Sequence, residues 1–208
     1  LLLAGPAAAR DCVSFRPHYL ASPGIAHAYD LFKEGSAVAA LAALDEALPE
    51  LAADSPDRTP LLFLAARMAR AAGDDARART MLQALTADPA LGSRAHVELA
   101  RLHRPPTSHS RRQATPPPAS DDFLTHLTLV RPGGPGYVWA RETLARHHNG
   151  CGDHRAAAAD FAAAAAAATP SARPALLAAA AAAYDAAGLT EEAAQVRAEL
   201  LRDHPTSL

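Results

Sequence analysis

The stretch Pro174–Pro205, PALLAAAAAAYDAAGLTEEAAQVRAELLRDHP, contains two helix-forming segments separated by a single glycine. An alanine-rich segment ends at Gly188. Thr190 and the two acids after it then place a hydroxyl and negative charge where the start of a helix favours them. Pro205 ends the second segment because proline cannot continue a helix. We therefore predict an antiparallel helix pair in which Thr190 is the N-cap of the second helix.

Three further copies of this spacing lie upstream. Counting 36 residues back from Gly188 reaches Gly152, and two more copies are centred on Gly73 and Gly35. A repeat of about 34–38 residues built from two helices is typical of a stacked solenoid, which usually binds partners and rarely carries out chemistry. We therefore predict an all-α fold, a right-handed superhelical array of antiparallel helix pairs (an α-solenoid). An alanine follows each glycine five residues later, at Ala40, Ala78, Ala157 and Ala193.

The repeats divide the chain into four segments. Residues 1–23 are irregular, and residues 24–103 are helical repeats. Residues 104–120 contain five prolines in 17 positions, which excludes a helix and predicts a linker or an expanded loop. Residues 121–208 are again helical repeats, with the last two pairs at 137–172 and 173–208. Insertions in solenoids often lie on the working face.

The second helix of the Gly35 repeat is expected to run from about Ala37 to Ala53, with Ser36 as its N-cap. In the Gly73 repeat, Asp74 or Asp75 is expected to cap the second helix. In the second helix of the Gly35 repeat, the helical spacing of apolar residues predicts a buried stripe. Its members are Val38, Leu41, Leu44, Leu48 and Leu51.

The repeats resemble tetratricopeptide (TPR) repeats. In that family a small residue and an aromatic lie on the first helix, a glycine ends it, an alanine begins the second helix's packing face, and a proline ends the unit. The last repeat matches at Ala181, Tyr184, Gly188, Ala193 and Pro205. The other three match at Leu144, Ala145, Gly152, Ala157, Phe161, Ala164 and the late Pro170; at Ala66, Gly73, Ala78 and the early Pro89; and at Gly35, Ala40 and Ala47.

This resemblance implies a TPR-like α-solenoid with a concave groove that holds a protein or peptide segment. Side chains of the first helices would line that groove, and the candidates are Tyr29, Arg67, Arg141 and Tyr184. A non-catalytic interaction scaffold is accordingly the first functional hypothesis.

A second family fits the same arrangement. The superhelical N-terminal region of periplasmic soluble lytic transglycosylases is built from irregular repeats of this kind, behind a signal peptide. The chain starts with Leu1-Leu2-Leu3-Ala4-Gly5-Pro6-Ala7-Ala8-Ala9, which resembles the end of a secretory signal with its small-residue cleavage site. We therefore expect export to the periplasm and a chain that is part of something longer. The alternative function is the peptidoglycan-binding accessory region of such an enzyme.

Charge and composition give no indication of a nucleic-acid partner or of a membrane-spanning segment. The formal net charge is -2, and acids and bases are interleaved along the chain, so nothing indicates the concentrated basic face that nucleic acid requires. No run of 18 uncharged apolar residues predicts a membrane span. Cys12 and Cys151 are 139 residues apart, and two separate thiols are expected rather than a disulfide.

One cluster has residue types that bind zinc or copper: His147, His148, Cys151 and His154, with Asp153 between them. Four ligands crowded into one turn rarely reach tetrahedral geometry, so a solvated turn is the preferred interpretation and no metal or other cofactor is predicted. No arrangement of nucleophile, base or paired carboxylates predicts a catalytic residue.

Overall fold

The computed structural model describes residues 22–52, 54–103 and 121–204. These residues form helices and connecting turns, with no strand among them, so the prediction of an all-α solenoid is confirmed. The signal-like N-terminus, Cys12, Ala53, the proline-rich segment 104–120 and Pro205 lie outside the described residues. The helices are α1 (Pro23–Lys33), α2 (Ala37–Ala47), α3 (Arg58–Ala71), α4 (Asp75–Leu85), α5 (Gly92–His103), α6 (Asp121–Thr128), α7 (Tyr137–Gly150), α8 (His154–Ala167), α9 (Arg173–Ala186) and α10 (Thr190–Asp203).

Helices that follow one another in sequence make the extensive contacts, from α1 on α2 to α9 on α10. The described residues therefore form five consecutive pairs, of which α5 and α6 flank residues 104–120. The core is correspondingly divided into several apolar clusters along the stack rather than gathered in one centre. This division is what a quasi-one-dimensional repeat array produces.

The same hydrogen-bonded turn closes the first helix of four pairs. Gly35, Gly73, Gly152 and Gly188 all have positive φ, between 74° and 87°. At each one the glycine N–H donates to the carbonyl three residues back, and the next N–H donates to the carbonyl five residues back. This is the Schellman motif, in which a left-handed residue satisfies the last carbonyls of a helix. Each turn therefore reverses the direction of the chain, and the last carbonyls of the first helix still accept hydrogen bonds.

Small side chains occupy equivalent buried positions around these turns. The alanines five residues after the glycines, Ala40, Ala78, Ala157 and Ala193, are completely buried. Seven residues before the glycines, the first helices carry a second set of buried alanines: Ala28, Ala66, Ala145 and Ala181. Alanines at both positions let the two helices of a pair approach closely, because neither presents a side chain larger than a methyl group there.

Several boundaries and caps differ from the sequence expectations. Helix α2 ends at Ala47, and Leu48–Glu50 continue as one 3-10 turn that contains Pro49. Val38 is 70% exposed rather than part of the buried stripe. Leu189, not Thr190, is the N-cap of α10. Ser36 is the N-cap of α2 as predicted, and its side chain makes no capping hydrogen bond. Asp74 does cap α4, since its carboxylate accepts from the backbone N–H of Arg77 at 3.0 Å.

The alanine-rich helix α8 contains one buried charge. Asp160 is only 8% exposed. Its Oδ1 accepts a hydrogen bond from Arg141 at 2.9 Å, and its Oδ2 lies 2.9 Å from Nδ1 of His148. Arg141 and His148 are both on α7, two turns apart, so the carboxylate joins the two helices of this pair. We infer that a buried carboxylate with two such partners sets the register of α8 on α7, since a run of alanines alone specifies it poorly.

We predict opposite effects for two glycines that are two residues apart. Gly152→Ala forces a side chain into a left-handed conformation and should lower the free energy of unfolding by about 1–2 kcal/mol. Gly150→Ala adds a methyl group at a helical position and should raise that free energy by up to about 1 kcal/mol. Neither added Cβ would meet an atom within 4 Å, so only backbone conformation distinguishes them. Urea unfolding of both variants checks this, and shifts of the same sign would contradict it.

We also predict that Asp160→Ala destabilises the chain by about 1.5–3 kcal/mol, because it removes charge-assisted hydrogen bonds and leaves Arg141 without its carboxylate. Asp185 is the matched control, because it pairs with Arg197 at the surface between α9 and α10. Its replacement by alanine should cost less than about 1 kcal/mol, as for other exposed ion pairs. Equal losses in thermal unfolding would show that the Asp160 cluster has no special role.

Candidate functional site

The first helices of the repeats lie side by side and share arginine–aromatic contacts. The guanidinium carbon of Arg67 on α3 lies 5.8 Å from the ring centre of Phe32 on α1. Farther along, the guanidinium carbon of Arg101 on α5 lies 5.3 Å from the ring centre of Trp139 on α7. We call the surface formed by α1, α3, α5 and α7 the first-helix face. Guanidinium groups above aromatic rings gain cation–π attraction while their N–H groups stay available for a ligand.

An open pocket of about 290 Å³ lies on this face between α3 and α5. We call it the arginine pocket, because three guanidinium groups line it. Its floor and sides also include apolar atoms and one buried acid. The lining residues are Phe63 and Arg67 of α3, Arg94, Val97, Glu98 and Arg101 of α5, and Pro135 and Gly136 of the turn before α7.

The charge balance of the arginine pocket is positive. Glu98 is buried, with Arg101 donating to its Oε1 at 2.7 Å and Arg70 at 2.9 Å from its Oε2. Arg67 and Arg94 are exposed at the same surface. Two guanidinium groups therefore pair with the one carboxylate, and Arg67 and Arg94 add further positive charge, in a chain whose formal net charge is -2. Glu98 holds two of the arginines in position while the other two still face solvent.

A glycine turn fixes the far wall of this pocket. Gly134 and Gly136 lie directly against Ser93 and Val97 of α5, so closely that an added Cβ would come within 3 Å of those side chains. Ser93 also accepts a hydrogen bond from the backbone N–H of Arg131 at 3.2 Å. Only glycine permits this approach, and the turn therefore brings α7 and its Trp139 beside α5.

The structure separates the four candidate groove residues. Arg67 lines the arginine pocket. Tyr29 is half-buried and packs against the core between α1 and α2, with the Lys33 ammonium 5.5 Å from its ring centre. Tyr184 packs similarly against the C-terminal cluster. Arg141 is directed to Asp160 of α8 and to the ring of its neighbour Tyr137, so it belongs to the α7–α8 interface.

The histidine-rich turn between α7 and α8 has its donors directed to different partners. His148 contacts Asp160, and Nδ1 of His154 lies 2.8 Å from the side-chain oxygen of Asn149. Nε2 of His147 and the sulfur of the exposed Cys151 are 3.6 Å apart. Across residues 22–52, 54–103 and 121–204, no three metal-binding side chains surround a common point.

A different histidine group lies between α5 and α6. Nδ1 of His96 is 3.2 Å from Nδ1 of His126, and the His103 ring centre is 5.7 Å from that of His126. Burial lowers the pKa of both His96 and His126; the positive charge of Arg131 lowers that of His96 further. Nearby His96 and His103 also lower the pKa of His126, against the opposing effect of Asp122. Sequence reasoning missed this group because its members are up to 30 residues apart; only the common polarity of positions 96 and 103, two turns apart on one helix, could have indicated it.

Comparison with solved structures identifies the architecture. The MamA protein aligns with a TM-score of 0.54 and 14% identity, over 88% of this chain and 90% of that chain. Nearly identical TPR-like repeats from Podosopora anserina, assigned to a kinesin light chain, align with a TM-score of 0.51 and 19% identity, over 91% and 96%. No protein-family model and no curated protein matches the sequence. In the part of the chain that the structure describes, no helix is both long and apolar enough to cross a bilayer. The chain therefore has a TPR-like helical-repeat fold.

Proposed function

We propose that this protein is a non-catalytic interaction scaffold that holds an acidic segment of a partner protein against its first-helix face. The observation that carries the proposal is the arginine pocket, where three guanidinium groups line the wall beside one buried carboxylate that also pairs with Arg70. The TPR-like fold supports the general role, since helical-repeat arrays present extended preformed surfaces to their ligands.

The chemistry of the pocket favours carboxylates. Guanidinium groups are planar donors that match carboxylate oxygens in pairs, so acidic side chains complement them better than neutral ones do. Arg67 of α3 and Arg94 of α5 are both exposed, so each of these helices presents a guanidinium group to solvent. A segment lying across α3 and α5 would therefore meet both. Phe63, Val97 and Pro135 supply apolar surface beside them.

The bacterial cell envelope is the setting we propose, and its support is the signal-like stretch at residues 1–9 of the sequence. The alternative function, an accessory region of a peptidoglycan lytic transglycosylase, would use the same scaffold to hold glycan strands. The two functions differ in ligand: the scaffold requires a polypeptide with carboxylates, and the accessory region requires wall polysaccharide.

A binding measurement with a defined probe tests the proposal. The probe is a fluorescein-labelled decapeptide of alternating Glu and Ser, and the reference is the same peptide with Gln in place of Glu. We expect the acidic peptide to bind, with an affinity that falls as salt rises, because exposed charges are screened. We expect the double variant Arg67→Glu/Arg94→Glu to weaken binding at least about tenfold, since each reversed contact loses roughly 1 kcal/mol or more.

The charge-matched control is Arg155→Glu/Arg202→Glu, which makes the same change in net charge at exposed positions on α8 and α10. This control should bind the acidic peptide within about twofold of the unmodified protein, because its charges are outside the arginine pocket and screened from it. Equal weakening by both variants would contradict a local site. Binding of soluble glycan strands by all three proteins, with no binding of the acidic peptide, would support the transglycosylase alternative instead.

A further inference from the structure

We propose that His96, His103 and His126 form a proton-sensitive latch that keeps α6 docked on α5 at neutral pH and releases it under mildly acidic conditions. The latch is independent of the arginine pocket and of any partner. It follows from how three imidazole rings are placed between two helices, and from the short length of α6.

The contact between His96 and His126 depends on their proton count. With Nδ1 atoms 3.2 Å apart, one nitrogen must carry a hydrogen and the other must be bare. Two neutral rings satisfy this requirement by choosing different tautomers. One added proton is also compatible, since a charged ring can donate to a neutral one. A second proton leaves two N–H groups and two positive charges facing each other, which turns the contact from attractive to repulsive.

The surroundings make the second proton costly. Arg131 acts on His96 with a further positive charge, and His103 lies close to His126, with ring centres 5.7 Å apart. Among the described residues, Asp122 is the acid that acts on His126, and its side chain is 75% exposed, 3.9 Å from Nδ1 of His103. Solvent screens such an exposed carboxylate, so it offsets little of the repulsion. Half-burial of His96 and His126 adds to the penalty on charge.

Helix α6 is the shortest α-helix among the described residues. It contains eight residues, and its buried side chains Phe123 and Leu127 pack against α5 and α7 together with the partly buried Leu124. Elements with few buried apolar contacts open at a lower free energy than the rest of a fold. A repulsive contact at the histidines therefore acts on a helix with a small buried surface.

The direction of the pH effect follows from the lowered pKa of both rings. Histidines of an unfolded or released segment take up protons near pH 6.5, while the docked rings resist them. The stabilising contact is thus fully present above that pH and is lost as pH falls toward the docked pKa.

Hydrogen–deuterium exchange of the full chain at about pH 7.5 and about pH 5.5 tests the latch, after correction for the intrinsic pH dependence of exchange. In the unmodified protein, we expect the protection of amides in residues 121–128 to fall at least about tenfold on acidification, the equivalent of one pKa unit. In His126→Gln, whose amide can still hydrogen-bond to His96 but cannot become charged, protection should change less than about threefold. His27→Gln, an exposed histidine on α1, is the control and should behave as the unmodified protein.

NMR titration of the imidazole resonances provides a second readout that does not depend on the variant. We expect His96 and His126 to titrate in two separated steps, as interacting sites do, with the lower step coinciding with the loss of α6 protection. Protection that is unchanged by pH would overturn the latch. So would an equal loss in His126→Gln, or a single shared histidine titration with the value of a free imidazole.

Discussion

The close approach of paired helices over alanine side chains is the constraint on which the rest of this structure depends. Completely buried alanines occur at the matching positions of both helices around the repeat glycines, as with Ala66 and Ala78 on either side of Gly73. Methyl groups bury little apolar area, so stability must come from many short-range contacts rather than from a few large side chains. The glycine turns are necessary for this geometry, because they reverse the chain within the distance that alanine packing allows.

Helix interfaces packed over alanines bury little apolar area, so polar residues contribute much of the specificity of helix packing. Asp160 joins α8 to Arg141 and His148 of α7, and Glu98 joins α5 to Arg70 of α3. Both acids are buried, and each holds arginine side chains in fixed positions. At the α7–α8 interface the arginine is used internally. At the arginine pocket, by contrast, the acid is outnumbered, so positive charge remains at the surface. The same device therefore fixes the register of one pair and prepares a binding surface on another.

The parts of the fold that depend on local chemistry could be predicted from the sequence. The turn at Gly188 is an example, because the glycine indicates where one helix ends, and the hydroxyl and acidic residues after it indicate where the next helix begins. The helix beyond Ala47 was predicted wrongly, since Pro49 in the first turn of a 3-10 segment outweighed the apolar spacing of Leu48 and Leu51. The prediction that Val38 is buried was wrong for another reason. The side of a helix that becomes buried depends on where the neighbouring helices pack.

The candidate site was less accessible to sequence reasoning. Arg67 could be named because it lies on a first helix, yet Arg141 also lies on a first helix and faces a buried acid instead. Nothing local to either arginine distinguishes them, since the deciding partner is on another helix. The contact of His96 with His126 joins residues on either side of the proline-rich segment. It could not be predicted from the sequence because the two partners are on different helices.

The order of contacts along the stack has a mechanical consequence. Because each helix relies mainly on its neighbours in sequence, a pulling force applied at the two ends of the chain is carried by the pair interfaces one after another. Extension would then proceed in steps, beginning at the interface with the least buried area, and the remaining pairs would keep their structure while it opened. Such a protein would lengthen one helix pair at a time under force. A partner bound to it could therefore be held under tension while most of the fold stays intact.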